Sequence, residues 1–169
     1  MRVNVLCRNP NDDRVIPRFS RYLAEVNGWT LTARPEPGMD AYYLSGYFEY
    51  PVMRSGLPDD RPLAAYFTHR EEVPANGSKA RQFDDVARRV DLRIVTAAMY
   101  GSLLHHAGPT IQIAPPVERH RFTIPDGRRN RNIVAGFSGY TYGNGRKGED
   151  LAQKLVEDSY HIDDLEWRA

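Results

Sequence analysis

The chain has 169 residues and a mass of 19.3 kDa, which at about 150 residues per domain corresponds to roughly one domain. Hydrophobic residues make up 41%, aromatic residues 11% and charged residues 27% of the chain, and these values argue against intrinsic disorder. Its 23 basic and 22 acidic residues give a net charge of +1, which disfavours a nucleic-acid binder that relies on overall charge.

The first predicted element is a buried strand over residues 3–7, a short apolar run. It contains Cys7, the only cysteine of the chain, so no intrachain disulfide can form, and the apolar surroundings favour a buried, unreactive thiol. A strand this close to Met1 is unlike a signal peptide. No stretch approaches the ~20 apolar residues of a membrane span. We therefore predict a cytoplasmic location and no membrane span.

A helix is predicted next. Residues 11–13 carry side chains that can cap its start, Pro17 falls in its first turn, and Asn27 with Gly28 predicts its end. Its apolar positions recur at helical spacing: Val15, Ile16, Phe19, Tyr22, Leu23 and Val26.

The following 80 or so residues alternate short apolar runs with helical patterns. Residues 45–61 are predicted as a loop with one short helical turn, and Ser78 is a candidate cap for a helix that ends near Val90. A short helix is predicted over residues 98–106. Further strands are predicted at 29–33, 41–44, 63–68, 92–96 and 110–114.

These strands are mostly apolar and alternate with helices or crossovers, which indicates a parallel sheet covered on both faces. The predicted fold class is α/β, with a doubly wound, mostly parallel Rossmann-like sheet and a partial second βαβ unit. We expect strands 3–7, 63–68 and 92–96 to be parallel neighbours in one sheet.

The C-terminal part predicts a single βαβ unit: a strand at 132–137, a glycine-rich loop, a helix at 148–158 and a strand at 165–168. Such a unit is too small to bury both faces of its sheet. The predicted organisation is therefore a Rossmann-like domain at 1–115, a linker at 116–131 and the start of a second domain at 132–169. An uncovered sheet edge promotes pairing, so we expect self-association, a homo-oligomer formed through this segment.

The glycine-rich loop is the first candidate site. It runs from a predicted strand into a helix and contains Ser138, Gly139, Arg146 and Lys147. Glycines let the backbone approach an anion, and the helix N-terminus and the two cations would attract it. The loop is not a Walker A motif, because Gly-Lys-Ser/Thr is missing. A purely structural glycine turn is the alternative.

The second candidate site is His69, which follows the predicted strand 63–68. Ligands of open α/β sheets bind at the carboxyl edge, where a histidine can donate to a sugar hydroxyl or act as acid or base. Capping of the loop is the structural alternative. No set of histidines, cysteines and carboxylates has metal-ligand spacing, so no metal is predicted.

Four segments together resemble the GT-B-fold retaining glycosyltransferases of the group 1 type. They are Tyr66-Phe67-Thr68-His69-Arg70-Glu71, Val90-Asp91-Leu92-Arg93-Ile94-Val95-Thr96, Pro115-Pro116-Val117-Glu118-Arg119-His120-Arg121-Phe122 and Gly145-Arg146-Lys147-Gly148-Glu149. Their order and spacing match the family over about the last 110 residues.

The resemblance implies two Rossmann-like domains, a nucleotide-sugar donor as substrate, an acceptor of unknown identity, and metal-independent transfer without a cofactor. His69 corresponds to the histidine that faces the transferred sugar, and Lys147 to the lysine that contacts the donor diphosphate. Tyr140 stands where the family commonly has arginine, and Arg146 is the candidate replacement. The family's paired glutamates come later than Ala169, so the resemblance implies a fragment that is inactive alone.

Two other functions are compatible with the same residues. One is a non-catalytic anion- or nucleotide-binding α/β module that uses the glycine-rich loop without transfer chemistry. The other is an interaction protein whose C-terminal unit is completed by a partner chain. A role in binding nucleic acid is not expected.

Overall fold

The computed structural model describes residues 1–70 and 77–113, the strand residues 133–136 and 165–168, and the helical residues 153–154 and 157–158. Its central feature is a six-stranded sheet in the order β2-β1-β3-β4-β5-β6, in which every neighbouring pair is parallel. The strands are β1 (Val3–Leu6), β2 (Thr30–Thr32), β3 (Ala41–Leu44), β4 (Leu63–Phe67), β5 (Leu92–Val95) and β6 (Thr110–Gln112).

Helices connect most of these strands. The main ones are α1 (Val15–Asn27), α3 (Gly77–Ala87) and α4 (Ala98–Leu104). The short helix α2 (Tyr50–Met53) lies between two 3₁₀ turns, Tyr47–Glu49 and Arg54–Gly56, and a third 3₁₀ turn, His105–Ala107, follows α4. An all-parallel sheet with helices between its strands is the arrangement of a Rossmann-like α/β fold, which confirms the predicted fold class.

The main hydrophobic core lies on one face of the sheet, because alternate strand residues point to opposite faces. Tyr42 and Leu44 of β3 point into it, as do Ala65 and Phe67 of β4. The other face carries Tyr43, Ala64 and Ile94, and there the apolar side of α1 covers part of the sheet. The buried helical side chains that complete the main core are Phe83, Val86, Ala87 and Leu104.

One predicted boundary of helix α1 is correct and the other is wrong. Its end is as predicted: Gly28 takes a left-handed conformation with φ 62° and its N–H donates to the carbonyl of Glu25 at 3.3 Å. Its predicted cap is wrong, since the N-cap residue is Arg14 and makes no side-chain capping bond. Asp12 instead accepts from the backbone N–H and the Nε of Arg14, at 2.8 and 2.7 Å.

Two further local predictions need correction. Helix α3 begins at Gly77, so Ser78 lies inside its first turn and not at the cap. The segment from Tyr47 to Gly56 is helical almost throughout, where one short turn was expected. Pro51, with its fixed φ, sits in the first positions of α2, where it favours helix rather than loop.

The strand order corrects one tertiary prediction. Strands 3–7, 63–68 and 92–96 belong to one parallel sheet, and β4 does pair with β5. However, β3 lies between β1 and β4 and pairs with both, so β1 and β4 are not neighbours. The chain leaves β1 for β2 on one side and returns past β1 to form β3 on the other, and periodicity alone carries no information about this return.

Arg93 of β5 is a buried charged residue, 3% exposed. Its Nε donates to the carbonyl of Ala87 at 2.7 Å, Nη2 donates to the same oxygen, and Nη1 donates to the carbonyl of Asp91 at 3.2 Å. Burial lowers the pKa of this guanidinium. Gly108 passes so close that a Cβ there would lie 2.5 Å from Nη1. Arg93 thus joins the end of α3 to the residue before β5, and its guanidinium packs against Gly108 of the loop before β6.

The chain divides into two units, Met1–Phe122 and Thr123–Ala169. In the second unit, β7 (Ile133–Gly136) and β8 (Leu165–Arg168) pair in parallel, and residues 153–154 and 157–158 are helical. These are the elements expected of a βαβ unit. The predicted boundaries near residues 115 and 131 lie outside the described residues, and self-association through this unit stays a prediction.

Candidate functional site

The strand order creates a switch point at the carboxyl edge of the sheet, between β1 and β3. The connection from β1 leads to one side and all strands after β3 lie on the other side. Ligands of doubly wound sheets bind in the crevice outside the carboxyl ends of the strands at such a point. Arg8 follows the end of β1 by two residues, and Ser45 comes directly after β3.

A cavity of about 580 Å³ opens at this edge, and we call it the switch-point cleft. Its polar lining comes from four elements: the loop after β1, the 3₁₀ turn after β3, the segment after β4, and α3. Apolar side chains of α1 and the rings of Phe48 and Tyr66 complete the wall. The polar lining residues are Arg8, Tyr47, Thr68, His69, Lys79 and Gln82. Hydrogen-bonding groups beside aromatic rings suit a small hydroxylated or charged ligand.

His69 is an exposed residue of this cleft, two positions after the end of β4. It lies beside the loop that carries Tyr47, whose hydroxyl donates to the carbonyl of His69 at 3.4 Å. The imidazole therefore has access to solvent on the edge where sequence reasoning placed it. Its proposed role toward a transferred sugar stays a prediction.

Tyr47 is held by an aromatic cluster under the cleft. Its ring is stacked on Phe67 with 5.6 Å between centroids, and it meets Phe83 and Phe48 edge-on at 5.2 and 5.7 Å. Phe67 and Phe83 are fully buried. A side chain at position 46 would collide with the ring of Phe48, which explains why glycine follows Ser45. The cluster packs around Tyr47, whose hydroxyl contacts the backbone of His69.

Glu49 is the most unusual group near the cleft, because its side chain is only 5% exposed. Its Oε1 accepts from the backbone N–H of Arg8 at 3.4 Å, and its Oε2 lies 3.5 Å from Arg8 Nε. Oε2 makes no hydrogen bond among the described residues. Burial raises the pKa of this carboxyl, and the contacts with Arg8 oppose the change. The pair joins the carboxyl ends of β1 and β3.

On the other side of the cleft, Arg70 is bound to Asp84 of α3. Its Nε donates to Oδ1 at 3.0 Å and its Nη2 to Oδ2 at 2.8 Å, the two-point geometry that makes such pairs specific. The hydrogen bonds from Arg70 lower the pKa of Asp84. This pair fixes α3, and with it Lys79 and Gln82, relative to the segment that carries His69.

A second, mainly apolar groove of about 500 Å³ lies on the face of the sheet that α1 only partly covers. It shares Ile16, Phe19 and Tyr66 with the switch-point cleft. Tyr43 lines it, and burial raises the pKa of its hydroxyl. Ser45 closes one end, with an Oγ that is buried and makes no hydrogen bond among the described residues.

The structure therefore brings together one predicted site residue, His69, with several that sequence reasoning did not select. Arg8 and Glu49 were missed because they are 41 positions apart and nothing local marks a buried carboxylate. Arg8 could have been predicted from its position, because it comes just after the end of the first strand and therefore lies at the carboxyl edge of the sheet. The predicted diphosphate-binding residues Ser138, Gly139, Arg146 and Lys147 lie outside the described residues.

In the part of the chain that the structure describes, no three or more histidines, cysteines and carboxylates lie together so as to hold a metal ion. Cys7 is a buried free thiol. No described helix combines the length and apolar character needed to cross a membrane. Comparisons with protein-family models, curated proteins and solved structures gave no match.

Proposed function

We propose that this chain is the acceptor-side part of a retaining glycosyltransferase of the GT-B class, and that the switch-point cleft holds the acceptor. The observation that carries the proposal is the position of His69. It is an exposed imidazole two residues beyond β4, in a cleft at the carboxyl edge of a parallel sheet. The resemblance of four sequence segments to that family supports the same assignment.

The cleft offers the chemistry that a sugar needs. Gln82 and Thr68 supply donors and acceptors for hydroxyl groups, and the partly exposed ring of Phe48 offers an apolar surface for the face of a sugar ring. His69 can donate to a hydroxyl of the transferred sugar through either ring nitrogen, depending on its tautomer. In this proposal His69 binds and orients the sugar through hydrogen bonds and forms no covalent bond with it.

The proposed reaction moves a sugar from a nucleotide-sugar donor to a hydroxyl of the acceptor. The bond between the anomeric carbon and the diphosphate oxygen breaks, and a bond to the acceptor oxygen forms on the same face of the sugar. The proton of the acceptor hydroxyl leaves with the diphosphate. The proposed contacts of that diphosphate are Lys147, Arg146, Ser138 and Gly139. They belong to the glycine-rich loop, whose sequence is suited to binding an anion.

The test is a binding experiment on the full chain labelled with ¹⁵N. Neutral monosaccharides, nucleotide-sugars and free nucleoside diphosphates are titrated separately, and the imidazole and backbone signals of His69 are followed by NMR. We expect monosaccharides to shift the His69 signals, and His69→Ala to weaken their binding about tenfold, as loss of one ligand hydrogen bond would. His105→Ala, an exposed histidine elsewhere, is the matched control.

Two outcomes would contradict the proposal. Sugar binding that is equal in the wild type and in His69→Ala would remove this residue from the sugar-binding site and contradict its role toward the transferred sugar. Binding of nucleoside diphosphates without any response to sugars would favour the non-catalytic nucleotide-binding module instead.

A further inference from the structure

We propose that Arg8 binds an oxyanion, a phosphate or carboxylate carried by the acceptor, at the switch point, and that buried Glu49 positions Arg8 for this role. This inference deepens the proposed function by naming an acidic acceptor, and rests on it for the identification of the cleft as the acceptor site. It is carried by the contacts of these two residues.

The guanidinium of Arg8 has one end that makes no hydrogen bond with the described residues. Its side chain is 50% exposed and lines the switch-point cleft. Its contacts among the described residues are with Glu49, through the backbone N–H and through Nε. Neither Nη atom has a hydrogen-bond partner in the described part of the chain. These two atoms form the fork that matches the two oxygens of a carboxylate or phosphate.

Glu49 is a buried carboxylate that lies beside Arg8. A buried carboxylate is costly unless it is paired, and Glu49 keeps its Oε2 without a hydrogen bond next to Arg8 Nε. Because it meets the guanidinium from the Nε side, the Nη fork remains free for a ligand. Oε2 is buried, so a ligand cannot contact it, and Glu49 acts through Arg8 rather than by direct contact.

The loop that carries Arg8 is also fixed in place. Arg21 of α1 donates from Nη1 to the carbonyls of Pro10 and Asp12, at 2.6 and 2.7 Å. The two carboxylates of this loop each pair with an arginine other than Arg8, Asp12 with Arg14 at 2.6 Å and Asp13 with Arg21 at 3.1 Å. A cation on a pinned loop loses little entropy when it binds an anion.

Helix α1 adds a weaker contribution in the same direction. It has 13 residues, its first turn contains no acidic side chain, and no side chain caps its N-terminus. Val15 and Ile16 of this first turn line the switch-point cleft. The positive end of the helix dipole therefore lies beside Arg8 and favours an anion there.

The experiment measures the affinity of the full chain for four probes by isothermal titration calorimetry at low salt. The probes are inorganic phosphate, glucose 6-phosphate, glucuronate and glucose. We expect both acidic sugars to bind more tightly than glucose, with an affinity that falls as salt is added. Glucose 6-phosphate and glucuronate separate a phosphate from a carboxylate as the preferred group.

Variants then assign the effect to named residues. Arg8→Met should weaken binding of the preferred acidic sugar about tenfold to a hundredfold, the loss of a charge-assisted contact. Arg8→Lys should lie between it and the wild type, because a lysine keeps the charge but not the fork. The matched control is Arg2→Met, which breaks a similar pair with Asp40 at 3.5 Å before the same two strands begin.

The role of Glu49 is tested by a double-mutant cycle. We expect Glu49→Gln to weaken binding of the acidic sugar several-fold in the wild-type background and to have no further effect in Arg8→Met. A residue with only a structural role would act equally in both backgrounds.

Three results would overturn the proposal: equal affinity in Arg8→Met and wild type, an equal loss in Arg2→Met, or additive effects of Glu49→Gln. Its failure is distinguishable from that of the proposed function. If glucose binds in a manner that depends on His69 while acidic groups add nothing, the acceptor site stands and the oxyanion site does not.

Discussion

Tyr47 connects the hydrophobic core to the candidate site, and replacing it separates two contributions. Tyr47→Phe keeps the ring and removes the hydrogen bond from its hydroxyl to the carbonyl of His69. This bond is long, at 3.4 Å, so we expect the free energy of unfolding to fall by about 0.5–1 kcal/mol, the low part of the usual range. The aromatic cluster itself should remain intact.

Tyr47→Ala removes the ring as well. Tyr47 is 4% exposed and makes three aromatic contacts, with Phe67, Phe83 and Phe48, at centroid distances of 5.2 to 5.7 Å. Truncation of a buried aromatic side chain costs about 3–5 kcal/mol, and each aromatic pair supplies roughly 0.5–1.5 kcal/mol of this. We therefore expect Tyr47→Ala to cost several times as much as Tyr47→Phe.

Urea unfolding followed by far-UV circular dichroism gives the free energy of unfolding of each variant. The two values can be compared if the dependence of free energy on urea concentration, the m-value, is the same in wild type and variants. Both variants lose the hydrogen bond to the carbonyl of His69, so we expect the backbone ¹⁵N signal of His69 to shift in both. The reasoning is refuted if Tyr47→Ala costs less than about 1 kcal/mol, which lies well below the range for a buried ring. It is also refuted if the two variants cost the same.

Three further predictions concern the frame of the site. Arg93→Met leaves two carbonyls near the end of α3 without their buried donor and should lower the free energy of unfolding by about 2–4 kcal/mol, as measured by urea denaturation. Gly108→Ala should lower the free energy of unfolding by about 1–3 kcal/mol, since the φ of 134° suits glycine alone and a Cβ would meet Arg93. As a control, Gly101→Ala inside α4 should leave the free energy of unfolding unchanged or raise it. The Arg70 contact lowers the pKa of Asp84 from 3.8, so this carboxylate stabilises the fold above that pH. The difference in unfolding free energy between wild type and Asp84→Asn should disappear as the pH falls through the lowered pKa, and a constant difference down to low pH would contradict the assignment.

Local chemistry in the sequence determined most elements of the first unit. The apolar run at residues 41–44 is β3 with the same bounds, and Gly28 ends α1 because only a residue that tolerates positive φ can turn the chain there. The position of His69 after an apolar strand was enough to expect it at the carboxyl edge of the sheet. Each of these inferences depends on a few neighbouring residues.

Tertiary structure decided the rest. The insertion of β3 between β1 and β4 fixed where the switch point lies, and with it which loop ends meet. The N-cap position of α1 is occupied by Arg14, which makes no side-chain capping bond, rather than by one of the polar residues before it. The contact of Glu49 with Arg8 joins residues 41 positions apart, and a glutamate in a helical turn gives no local sign that it is buried. Strand order and burial depend on packing between distant segments, which hydrophobic periodicity along the chain does not encode.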